Sequence, residues 1–66
     1  MSKRRMALRI RDAARSLTYQ SLIGRKGQRP GTRELVVGNT LFTIVYRVHG
    51  AVVRIGRIVH QARRYP

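Results

Sequence analysis

The chain has 66 residues, of which 15 are Lys or Arg against only Asp12 and Glu34, a formal net charge of +13, and it contains no cysteine. This length suits a single domain with a marginally stabilising core, and without cysteine neither a disulfide framework nor a thiolate metal site can reinforce it. The charge makes a polyanion the expected partner, whether RNA, DNA, the ribosome or a strongly acidic protein; no stretch approaches the length of a membrane-spanning helix, so no membrane partner and a cytoplasmic location are expected.

After a basic start, apolar residues recur at Met6, Ile10, Ala13 or Ala14, and Leu17, with Arg4, Arg5, Arg9, Arg11 and Arg15 filling much of the remaining surface. This spacing predicts an amphipathic helix over about residues 3–19, with a narrow core-facing stripe and a solvated basic back. Residues 20–32 read as a loop: Gly24, Gly27 and Pro30-Gly31 interrupt any regular element. Arg25, Lys26 and Arg29 give that loop a basic rim suited to nucleic acid. No Gly-Lys-Ser/Thr opens a helix here, so the glycines do not form a phosphate-binding loop. Leu22 and Ile23 are expected to tuck under the sheet.

Three strands follow, over about 33–37, 41–48 and 51–61, because the runs are rich in β-branched and aromatic residues and the breaks are turn residues. The whole chain, 1–66, reads as one α+β domain, a small antiparallel three-stranded sheet packed on one N-terminal helix. With His49-Gly50 as a tight turn, Val48 faces Ala51, Tyr46 faces Val53, Ile44 faces Ile55 and Phe42 faces Arg57. One face then carries Phe42, Ile44, Tyr46, Val48, Val53 and Ile55 and is core. The other carries Thr43, Val45 and Arg47 opposite Gly56, Arg54 and Val52.

Most enzyme chemistry is excluded. There is no carboxylate pair and no nucleophile with a base and an acidic orienter, and two histidines without cysteine make a poor metal site; neither metal nor cofactor is expected. What remains is metal-independent cleavage of RNA, in which the 2′-hydroxyl attacks and the protein supplies cations, an acid and a base. Arg47 and Arg54 project from adjacent strands on one face and could converge on a phosphate. His60 lies further along that face in this register, where it could titrate near neutrality. Arg63, Arg64 and Tyr65 come just beyond. His49 reads as a turn residue, and Arg57 as a structural residue on the core face, able to pair with Glu34 or Asp12.

These pieces together resemble a family. GRKGQRPGTRELVV, LFTIVYRV after a GNT turn, and VVRIGRIVHQARRYP are similar to the C-terminal two-thirds of a RelE/ParE superfamily toxin of bacterial type II toxin–antitoxin systems, and RIRDAARSL is similar to that family's second helix. The resemblance implies a helix-covered antiparallel sheet and a small cytoplasmic toxin, neutralised by a cognate acidic antitoxin. It implies growth inhibition either by ribosome-dependent mRNA cleavage, with ribosome and mRNA as partners, or by inhibition of DNA gyrase. In the cleavage scheme Arg47 and Arg54 hold the scissile phosphate and His60 or Tyr65 moves the proton, with Arg25, Lys26, Arg29, Arg63 and Arg64 binding nucleic acid. Family members carry a strand and a helix upstream of the part matched here. One sheet edge is therefore expected to lack its partner, which invites homo-oligomerisation or strand addition by another chain. The alternative readings are a non-catalytic nucleic-acid- or ribosome-binding module and an inactive truncated toxin relative.

Overall fold

The computed structural model describes residues 3–60. It contains one helix, α1 (Lys3–Ser16), and four strands, β1 (Arg25–Lys26), β2 (Thr32–Val36), β3 (Phe42–His49) and β4 (Val52–His60). The strands form one sheet in the order β1-β2-β3-β4, antiparallel throughout. The class is α+β, but with four strands rather than three. The added strand lies inside the predicted loop: Arg25 pairs with Glu34 and Lys26 with Arg33, and the Gly27 amide donates to the Thr32 carbonyl at 2.8 Å. A two-residue strand is too short to show any alternation, so its glycine and proline neighbours dominated the sequence signal.

Helix α1 lays Ile10, Ala13 and Ala14 against the sheet, and Leu17 in the turn just after it continues the stripe, the spacing of a helical face. It stops at Ser16, short of the expected Tyr19. There the amides of Leu17, Thr18 and Tyr19 bond three residues back, to Ala14, Arg15 and Ser16, the tighter winding that commonly closes a helix. Arg15 in the last turn complements the helix dipole.

The core is Leu17, Val37, Ile44 and Tyr46, with Leu35, Phe42, Val48 and Val53 packed partly buried around it. Ile44 and Tyr46 come from the central strand β3, which has neighbours on both sides, and Ile44 is fully buried. The Tyr46 hydroxyl is buried too and accepts a hydrogen bond from the Gly24 amide at 2.9 Å. Leu22 and Ile23 do not tuck under the sheet; both are more than half exposed. Gly24 is the residue that fits there, because the approach to Tyr46 leaves no room for a longer side chain.

The β3–β4 hairpin departs from the expected register in two ways. First, its corner is Gly50-Ala51, with His49 paired to Val52. Gly50 has φ of +61°, so glycine occupies the first central position, as a type II′ turn requires. A corner at His49-Gly50 would have made histidine share the left-handed conformation or placed glycine where it is not needed. Second, the register shifts between Val45 and Tyr46: Tyr46 pairs with Ile55 but Val45 pairs with Arg57. Gly56 is the extra residue of a β-bulge, and beyond it every β4 side chain changes face.

Candidate anion-binding face

The corner and the bulge decide which basic groups meet. The corner moves Arg47 from the predicted partner Val52 to Arg54, which it faces directly across the ladder. The bulge carries Arg57 to a position opposite Val45, on the side of the sheet away from α1 and not on the core face. The carboxylates it was expected to reach form ion pairs elsewhere, Arg25 with Glu34 at 3.4 Å and Arg11 with Asp12 at 3.8 Å. By the same shift His60 pairs with Phe42, on the helix-facing side. Its ring meets Phe42 edge-on at 5.0 Å, and its Nδ1 is buried without a hydrogen-bond partner among the described residues. His60 is therefore separated from Arg47 and Arg54 by the thickness of the sheet.

The side away from α1 carries two cross-strand rows. One runs Thr32, Arg47, Arg54, and the next runs Arg25, Glu34, Val45, Arg57. Glu34 is buried on this side, whereas Arg25, Arg47, Arg54 and Arg57 are exposed. His49, read from the sequence as a turn residue, ends β3 on this side, two residues beyond Arg47, and is exposed. Two like charges directly opposed on a sheet work against folding. An exposed Arg–Arg pair is the arrangement that a doubly negative or bridging phosphate ligand would relieve, since guanidinium groups bind phosphate oxygens bidentately.

Arg47 is held in place. Its Nη1 donates to the Pro30 carbonyl at 3.0 Å. Gly31, next in the loop, has φ of +80°, and a Cβ there would stand 2.8 Å from that nitrogen. The Pro30-Gly31 turn thus positions Arg47 while leaving it room. The same loop bounds an open depression of about 340 Å³ lined by Lys26, Arg29 and Arg33, of which Lys26 and Arg33 stand in the row of Tyr46 on the helix-facing side. Arg33 is partly committed to structure, donating to the Gly24 carbonyl at 2.8 Å.

Of the predicted site residues, the structure brings together Arg47 and Arg54 and places Arg25 on the same side, whereas Lys26 stands in the helix-facing row and Arg29 lies in the loop between β1 and β2. It takes His60 to the other side. Arg63, Arg64 and Tyr65 lie outside the described residues. Arg57 and His49, expected to be structural and turn residues, stand on the side of the pair. The signal for Arg57 was available: in VVRIGRIVH the apolar residues Val53 and Ile55 are two apart but Ile58 follows three later, and an isolated glycine inside a strand marks a bulge. Among the described residues no three potential metal ligands cluster, and no helix is long and apolar enough to cross a membrane.

One helix on an antiparallel sheet whose other side is basic defines a small α+β protein suited to binding a polyanion. Residues 2–65 match the family described as ParE toxin of type II toxin-antitoxin system, parDE. The chain belongs to this family, within the RelE/ParE superfamily of toxins, and family membership implies a cognate antitoxin as partner. No curated protein and no solved structure matches the chain.

Proposed function

We propose that this toxin arrests growth by cutting mRNA on the ribosome without a metal, using the side of the sheet away from α1 in the cytoplasm. The observation that carries this reading is the direct opposition of Arg47 and Arg54, exposed and with Arg57 one row away. Such a cluster can hold the scissile phosphate and stabilise the negative charge that grows as the 2′-hydroxyl attacks. Arg25 extends the contact on that side, and Lys26 and Arg29 add cations at the loop depression beyond it, where each neutralised phosphate adds salt-sensitive affinity. Among the described residues His49 lies on that side, two residues from Arg47, and takes the proton-transfer role that the sequence gives to His60 or Tyr65. The antitoxin, an acidic chain, neutralises the toxin by covering these cations.

The placement of His60 favours a second reading, inhibition of DNA gyrase without RNA cleavage. With that imidazole against Phe42, the arginine pair retains binding capacity but loses the acid–base group predicted beside it. One experiment separates the two. Induction of the toxin followed by primer extension on mRNA in a translating extract should give discrete, codon-positioned stops that disappear in Arg47→Ala/Arg54→Ala. Intact mRNA together with loss of supercoiling activity by purified gyrase would establish the gyrase reading instead.

A further inference from the structure

Helix α1 carries its charge against its own stability. Six of its residues are Lys or Arg, against the single Asp12. Lys3, Arg4 and Arg5 stand in a first turn that holds no acidic residue, at the helix end whose dipole disfavours cations. Arg11 and Arg15 are one turn apart, a spacing at which like charges repel. Packing on the sheet does not call for these charges, because the face that packs there is Ile10, Ala13 and Ala14. At about 100° per residue, Arg4, Arg11 and Arg15 fall within about 40° of one another, in a row about 16 Å long on the outer side. All three are exposed, as is Arg9 on the other flank of the helix. The core of Leu17, Ile44 and Tyr46 lies between this row and the Arg47–Arg54 pair, so the two sets of guanidinium groups cannot grip the same phosphate.

We propose that the outer side of α1 is a second nucleic-acid site, which takes the backbone of a DNA duplex, so that one molecule bridges two nucleic-acid segments, one on the helix and one on the Arg47–Arg54 side. A B-form major groove about 12 Å wide admits an α-helix, and cations on both flanks of that helix reach the phosphates of both walls. The major groove of an RNA duplex is too deep and narrow for the same approach. A membrane surface fits less well. A helix lying on lipid inserts an apolar face, but the apolar stripe of α1 is already packed on the sheet, which leaves Leu8, 39% exposed, as the large apolar side chain on the outer side. The proposal goes beyond the functional reading above and takes from it only that the sheet side binds nucleic acid.

The full chain is loaded on an immobilised DNA duplex and offered a fluorescent single-stranded oligoribonucleotide, which the loaded surface should capture. Arg47→Ala/Arg54→Ala should keep its duplex affinity and fail to capture. In that background, where the sheet side does not compensate, adding Arg4→Gln/Arg11→Gln/Arg15→Gln should lower the slope of log duplex affinity against log salt by about 2.7, for three phosphate contacts. Glutamine is close to arginine in helix propensity, and circular dichroism verifies that the helix persists. If it does not, Arg4→Gln/Arg11→Gln serves, with the slope lowered by about 1.8. An unchanged slope, or release of the protein from the duplex as the oligoribonucleotide binds, would overturn the proposal. So would capture by a mixture of the sheet-side and helix-side variants when neither captures alone, which would mean bridging by associated copies. Tighter binding to phosphatidylserine vesicles than to the duplex, lost in the helix-side variant, would assign the helix to a membrane instead. A chain that does not bind the oligoribonucleotide in solution contradicts the functional reading, and the duplex slope still decides the helix site.

Discussion

Replacing Arg54 with glutamine should make the protein more stable and less able to hold RNA, two opposite consequences of a single charge. Arg54 faces Arg47 directly across β3 and β4, and Arg47 cannot swing freely away because its Nη1 is bonded to the Pro30 carbonyl. Opposed like charges on a sheet destabilise by roughly 0.2–1 kcal/mol, and because both side chains are exposed solvent screening keeps the relief in the lower part of that range. Glutamine retains length and hydrogen-bonding capacity, so packing changes little. On the binding side, the loss of one phosphate contact should lower the slope of log affinity against log salt by about 0.7 for single-stranded RNA. Urea denaturation followed by circular dichroism gives the first quantity, and fluorescence anisotropy of a labelled oligonucleotide across a salt series gives the second. The stability gain should shrink as salt is added. A fall in stability at low salt, or an unchanged salt slope, would show that the two guanidinium groups do not share one anion site.

Tyr46→Phe leaves the buried Gly24 amide without its partner and should cost about 1–3 kcal/mol, visible as a fall in melting temperature of about 4–8 °C per kcal/mol; an unchanged melting curve would contradict the assigned bond. Ile44→Ala empties the centre of the core and should destabilise by about 2–5 kcal/mol in the same denaturation assay. Gly31→Ala forces a left-handed alanine, a strain of about 1–2 kcal/mol, and crowds the Arg47 guanidinium. RNA affinity should therefore fall by more than in a variant of equal instability placed at Ile44, and equal affinities for the two would remove Gly31 from the positioning of Arg47. His49→Gln should abolish codon-positioned cleavage while preserving RNA affinity, whereas full cleavage would remove it from proton transfer.

Much of this protein follows from local pattern. The spacing of Ile10, Ala13, Ala14 and Leu17 makes a helix with one face to bury, and Phe42, Ile44, Tyr46 and Val48 stand at alternate positions of one run, so Ile44 and Tyr46 share a face whatever the register of their partners. The +13 charge and the absence of a carboxylate pair likewise bound the chemistry before any fold is known. What tertiary structure alone decided is which arginines and histidines share a side. That depends on a count of residues around one corner and across one bulge, and a strand has period two, so a single added residue transfers every later side chain to the opposite face. Gly50 set the corner and put Arg54 opposite Arg47; Gly56 then sent Arg57 outward and turned His60 toward Phe42. Neither glycine alters the composition, the periodicity of β3 or the identity of the core, yet together they determine what the basic side of the sheet can bind.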